Sequence, residues 1–361
     1  MKVRVKEGTN RIIARVLIGM VVIIVGVMVG LMTIALIQKF RQHSEDSAGK
    51  PWLPNSNPVA DSGEELLWQE DWVRHNGQVY AYNDKITTYL VMGIDKMTKV
   101  QPAANWILGG QSDAMFLVVL DGSTKQIELI PINRDTICEV DMYNPDGSFI
   151  ATVPTQITLQ HGYGDGMEIS CERTVNTVSR LFYNIPIHGY VAVSMGAIPA
   201  INDVVGGVEV TVPHDMLWYI GTKKEETLKK GTVLHLMGTD AFRYIHDRDT
   251  RVFNSAGMRL ERQKQYLDAY SKKMIGACKE DITIPVQLYK TLSEYMVTDV
   301  TIDEVAKLAL VAMQYDFSAD NIHTLAGETI AGERFEEFHL DQEAFYETIL
   351  DIFYLPVEGV N

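Results

Sequence analysis

No GxxxxGK[ST] loop, HExxH helix, GxSxG elbow or CxxC pair occurs in the 361 residues. Phosphate-loop, zincin, serine-esterase and thiol-redox chemistry each lack their working parts. Cysteine is scarce. Cys138, Cys171 and Cys278 allow one disulfide and leave one thiol over; the pair expected is Cys138 with Cys171, and three buried thiols are the alternative. The nine histidines are scattered without ligand spacing, and one such as His188, just ahead of an apolar run, reads as structural. Internal repeats and low-complexity tracts are absent as well.

Positive charge is also in short supply. The chain carries a net −15, yet Lys2, Arg4, Lys6, Arg11 and Arg15 against Glu7 give residues 1–15 a net +4, which leaves −19 on the remainder. An acidic body repels the phosphates of a duplex, so nucleic acid is not an expected partner. With 46% hydrophobic residues the chain is neither disordered nor fibrous.

One stretch has no charge at all. Val16 to Ile37 is an uncharged apolar run long enough as a helix to cross the hydrocarbon core, and longer than the core of a cleaved signal peptide. Five basic residues precede it and only Lys39 and Arg41 follow closely, so the positive-inside bias puts the N-terminus in the cytoplasm and everything beyond about residue 40 outside. Residues 38–63, rich in Ser, Pro, Asn and Asp, read as a juxtamembrane linker.

From residue 64 onward a helix and a short strand are expected up to residue 85. Strands at Ile86–Met92, Met115–Leu120, Ile127–Ile132, His188–Ser194 and Val208–Val212 then alternate with helical spacing at Glu172–Phe182, Met195–Val205, Met237–Ile245 and Arg259–Lys273. Such interleaving predicts an α/β sandwich. The last eighty residues show helical patterns at Ile302–Met313 and Asp341–Phe353 with β-like pieces around 323–327 and 335–340.

Chemistry concentrates in Asp and Arg. Asp95, Asp113 and the pair Arg134-Asp135 each fall at the end of an expected strand, where ligand sites assemble in α/β sheets. Two carboxylates from adjacent loops can hold magnesium beside substrate phosphates; turn capping is the plainer reading of each alone. Arg243, Arg248, Arg251, Arg259 and Arg262 crowd into twenty residues. Guanidinium forks match phosphate oxygens, so this cluster points to a polyanionic ligand, with a solvated basic face as the alternative.

The ordered series Tyr89-Leu90-Val91-Met92-Gly93-Ile94-Asp95, Gln111-Ser112-Asp113-Ala114-Met115, Ile130-Pro131-Ile132-Asn133-Arg134-Asp135-Thr136, Asp203-Val204-Val205-Gly206-Gly207-Val208 and Arg259-Leu260-Glu261-Arg262-Gln263 resembles the LytR-CpsA-Psr family. The resemblance implies a three-layer α/β/α catalytic domain, here 64–280, behind a cytoplasmic tail 1–15, a transmembrane anchor 16–37 and the linker 38–63, with residues 281–361 as a small α+β extension. It also implies transfer of an anionic glycopolymer, such as teichoic acid or capsule polysaccharide, from a polyprenyl-pyrophosphate carrier to peptidoglycan. Carried over by position, Asp95 and Asp113 would hold Mg2+ or Mn2+, and Arg134, Arg248, Arg259, Arg262 and Gln263 would clamp the pyrophosphate. Asp113, Arg134 and Asp135 would be catalytic, with Asp113 and Asp135 both candidates to take the acceptor proton. Gln111 stands where the family usually has Arg, Asn133 where it has Pro, and His246 where it has Arg. A pyrophosphatase or a lipid-binding scaffold is the alternative function. A transcriptional attenuator fits less well, because fifteen cytoplasmic residues cannot form a DNA-binding domain.

Overall fold

The computed structural model describes residues 72–220, 224–247, 255–281, 283–301, 315, 321–332 and 335–357. The expected anchor 16–37 and the helix expected at 302–313 lie outside them. Among the described residues no helix is long and apolar enough to cross a membrane.

The described residues begin with strands β1 (Trp72–His75) and β2 (Gln78–Tyr82); of the helix and short strand expected over 64–85, residues 64–71 lie outside the described residues. Asn76 and Gly77 between them both have positive φ, 49° and 82°, the Asn-Gly turn whose twist matches a two-residue hairpin. Next come β3 (Ile86–Ile94), β4 (Ser112–Asp121), β5 (Gln126–Ile132), β6 (Ile137–Tyr143) and β7 (Phe149–Gln156). Helix α1 (Glu168–Leu181), β8 (Gly189–Ser194), α2 (Ala197–Val204), β9 (Val208–Thr211), β10 (Met216–Ile220), β11 (Lys224–Leu228) and β12 (Val233–Leu236) follow. Helices α3 (Thr239–His246), α4 (Ser255–Glu280) and α5 (Ile284–Ser293) precede β13 (Met296–Thr298), β14 (Gly327–Ala331), β15 (Glu336–Leu340), α6 (Gln342–Phe353) and β16 (Tyr354–Pro356).

The central sheet runs β13-β8-β3-β4-β5, with β3 and β8 parallel and the other neighbours antiparallel. Both faces are covered, which is why β3 and β4 are nearly unbroken apolar runs rather than alternating ones. Leu90, Met92, Met115, Leu117 and Ile130 on one face pack with Cys171 and Val178 of α1 and Phe345 and Ile349 of α6. Val91, Phe116, Val118 and Leu129 on the other meet Tyr315 and Ile322. A second core joins α2 to α5 with β9 and β12 around Val208, Leu236, Tyr244, Tyr266, Tyr270 and Leu288, and Val193 of β8 packs against it.

The last eighty residues share these elements. Strand β13 is one edge of the central sheet, β16 completes the three-stranded sheet with β1 and β2, and Phe345 is buried in the main core. The expected disulfide does not form: Cys138 and Cys171 are both free thiols. Cys138 lies in β6, while Cys171 is buried on α1 with its Sγ 3.8 Å from His161 Nε2.

Phe345 stacks edge-on against Phe182, the residue after α1, at a centroid distance of 5.1 Å. Phe345→Ala therefore costs about 3–5 kcal/mol and lowers the midpoint of one shared transition in urea. A separate early transition, with the rest of the chain unaffected, would show that the C-terminal segment folds as its own unit.

Candidate functional site

Strands β3, β5 and β8 end, and β4 begins, at the same edge of the sheet, as their registers require. The β3–β4 ladder shifts register between Gly93 and Ile94, and the two chains diverge there into the loop 95–111. Asp95 is the first residue past β3. Its backbone N–H donates to the Gln111 carbonyl at 3.0 Å, and its Oδ1 accepts the Gln111 N–H at 2.7 Å. Asp113 follows within β4, and Arg134 lies just beyond β5.

Arg134 gathers this end of the sheet. One Nη1 donates to Asp113 Oδ1 in a close ion pair, Nη2 donates to Gln111 Oε1 at 3.3 Å, and Nε lies 3.5 Å from Asp135 Oδ1. Asp135 is fixed from behind: Gln156 Nε2 donates to its Oδ1 at 2.8 Å and to the Glu336 carbonyl at 2.8 Å. The Asp135 carbonyl accepts the Phe338 N–H. Charges spread along the sequence thus become two carboxylates on one guanidinium with a third, Asp95, held beside them, formally −2.

Burial raises the pKa of Asp113; Arg134 opposes this and the neighbouring Asp95 charge adds to it. Asp135 is raised by burial too, against Arg134, with Glu336 adding repulsion. The mutual repulsion of Asp95 and Asp113 is of the kind a divalent cation relieves. Among the described residues no three His, Cys, Asp or Glu side chains form a metal cage. Two carboxylates still fit magnesium, which keeps waters and takes substrate phosphates as its other ligands.

The second basic group behaves differently. Arg262 is buried, donating from Nε to the Tyr244 carbonyl at 2.7 Å and from Nη2 to the Asp247 carbonyl, with Nη1 3.4 Å from His214 Nε2. Gln263 donates to the Ile245 carbonyl at 2.9 Å. These are the carbonyls that the end of α3 leaves without intrahelical partners, so both side chains, expected as pyrophosphate ligands, fasten α4 to α3. Burial depresses the Arg262 pKa, and the charge of half-buried Arg259, one turn before it, adds to this. Arg248 lies outside the described residues.

Two residues of this geometry were not anticipated as partners. Gln111 reads in sequence as the loss of a cation, and here it is an acceptor for Arg134. Gln156 carries no sequence signal, because its role is set by Glu336 arriving 180 residues later.

The chain is 29% identical over 271 residues to the polyisoprenyl-teichoic acid–peptidoglycan teichoic acid transferase TagV of Bacillus subtilis strain 168, covering 74% of this chain and 63% of that protein. It is 26% identical over 218 residues to the teichoic acid transferase TagU of Bacillus cereus strain ATCC 14579, covering 58% of this chain and 64% of that one. The chain thus spans somewhat less than two thirds of the length of these relatives. A solved protein of Streptococcus agalactiae shares the fold with a TM-score of 0.51 at 18% identity, over 74% of this chain and 87% of that one. Residues 59–348 match the model of the LytR_cpsA_psr family, and the chain belongs to that family.

Proposed function

We propose that this protein transfers an anionic glycopolymer of the teichoic-acid type from a polyprenyl-pyrophosphate carrier to peptidoglycan. The observation that carries the reading is the pairing of Asp113 and Asp135 with Arg134 at one end of the sheet, with Asp95 held beside them by Gln111, in a chain whose relatives are named for that transfer. In this reading the three-layer α/β/α body stands outside the cell. Residues 16–37 anchor it in the membrane with the N-terminus inside, as the basic residues ahead of that run support.

The acceptor hydroxyl oxygen forms a bond to the phosphorus next to the polymer's first sugar. The bond from that phosphorus to the bridging oxygen breaks, and polyprenyl phosphate leaves. Such a reaction needs neutralised charge and in-line placement more than a covalent intermediate. Arg134 and Arg259, with Arg248, hold the pyrophosphate, while Arg262 and Gln263 set the position of α4 that carries Arg259. Magnesium between Asp95 and Asp113 would neutralise the phosphate oxygens when bound. With Asp113 engaged there, Asp135 takes the acceptor proton: burial and Glu336 make its carboxylate a stronger base than an exposed one,.

Arg134→Ala cuts transfer about 100- to 1,000-fold and abolishes magnesium-dependent binding of polyprenyl pyrophosphate, measured by isothermal titration on the full-length protein. Arg262→Ala, by contrast, leaves the buried Tyr244 carbonyl and the part-buried Asp247 carbonyl without this partner and costs about 1–3 kcal/mol, read as a lower melting temperature. Retained lipid binding in Arg134→Ala refutes the clamp. Release of lipid phosphate without polymer transfer would favour a pyrophosphatase instead.

Protons compete with magnesium for Asp113, whose raised pKa brings that competition closer to neutrality than for an exposed carboxylate,. Magnesium affinity therefore falls over the range from neutral to acidic pH, and Asp113→Asn lowers it at pH 7 while flattening the pH dependence. A wild-type affinity unchanged over that range would exclude Asp113 as a ligand.

A further inference from the structure

A cavity of about 260 Å³ opens beside the carboxylate site, at the carboxyl ends of the parallel strands β3 and β8. Crevices outside the carboxyl ends of such strands are where α/β sheets take ligands. Its floor is apolar sheet, Ile94, Ala192 and Val297, and its rim is the polar loop carrying Lys96, Thr98 and Gln101.

The cavity and the site share a thin wall. Ile94 and Lys96, on either side of Asp95, both line the cavity, as does Gly109. Gly110 next to it has φ +90°, and a Cβ there would stand 2.7 Å from Lys96 Cε and 3.1 Å from Asp95 Oδ1. Only a glycine fits between them. His161, also in the lining, is 1% exposed, and its Nδ1 lies 3.0 Å from the Gly110 carbonyl. Burial lowers its pKa, so the ring is held neutral and donates to that carbonyl, fixing the wall.

Size and charge select the occupant. Pockets for drug-sized ligands run to about 300–1,000 Å³, so this one suits a single ring-sized group and is too small for a polyprenyl chain. Neither lysine is uncommitted: Lys99 pairs with Glu294 at 2.7 Å and Lys96 donates to the Leu108 carbonyl at 2.9 Å. That disfavours an anion. An apolar floor under a hydrogen-bonding rim matches the two aspects of a sugar ring, whose C–H face is apolar and whose edge carries hydroxyls.

We infer that this cavity is the acceptor subsite, holding one neutral N-acetylhexosamine unit of a glycan strand against the wall that separates it from Asp95. The inference rests on the transfer reaction proposed above.

The test uses full-length protein, the N-acetylglucosamine trimer chitotriose as probe, and two substitutions that fill the cavity, Ala103→Trp and, at an exposed rim position, Thr98→Tyr. Saturation-transfer NMR shows chitotriose contacting the wild type and not the variants. The KM for the glycan acceptor rises at least tenfold, while affinity for polyprenyl pyrophosphate stays within twofold. Thr98→Tyr decides the matter if Ala103→Trp does not fold. Donor binding and transfer with an unchanged acceptor KM in the folded variants overturn the subsite alone. A wild type that binds no polyprenyl pyrophosphate overturns the transfer reading itself.

Discussion

The placement of the Arg134 guanidinium holds the site together. A guanidinium has five N–H donors; here two donate to Asp113 and Gln111, while Nε lies 3.5 Å from Asp135 Oδ1 as an ion pair. Because those acceptors come from β4, the loop before it and the turn after β5, one side chain sets the spacing of three chain segments. Asp113 is only one-quarter exposed, so losing its partner would strand a carboxylate in a poorly solvated place, where an unpaired charge is costly.

The substitution of Gln for Arg at position 111 changes more than the charge. An Arg there would repel Arg134 and could not accept from it; Gln111 accepts through Oε1 and also supplies the backbone N–H that holds Asp95. The chain therefore gives up a cation and gains a restraint on the cation that remains. With a formal −2 among Asp95, Asp113, Asp135 and Arg134, an anionic donor needs positive charge from elsewhere. A dication between the first two carboxylates and the guanidinium of Arg259 on α4 are the sources the proposed reaction uses.

Much of the fold was legible from periodicity. The strands at β3, β4, β5, β8 and β9 and helices α1, α2, α3 and α6 lie where apolar spacing put them, with ends shifted by a few residues, because each buries a face long enough to show its period. The hairpin β6–β7 was missed although Asn144-Pro145-Asp146-Gly147 is a strong turn signal, with Gly147 at φ +85°; the strands beside it are only half apolar and carry little pattern. Strands β13 and β16, three residues each, owe their pairing to the sheet they complete. At the site, Asp95, Asp113, Arg134 and Asp135, all at strand ends in the sequence reading, come together at one end of the sheet. For Arg262 the sequence shows charge but not direction: its fork points at the end of α3, and only the packing of α4 against α3 decides that.

The long-range charge of the body bears on how a polyanionic donor reaches this site. Beyond the basic N-terminal tail the chain holds −19, which repels a teichoic-acid-like polymer, but salt confines that repulsion to about 8 Å at physiological ionic strength. In the anchored reading, donor lipid and enzyme also share one membrane. Tethering raises the local donor concentration without any new contact. The site itself then needs only a short-range clamp, and a single well-held guanidinium with a metal and a neighbouring arginine suffices where a broad basic surface would otherwise be required.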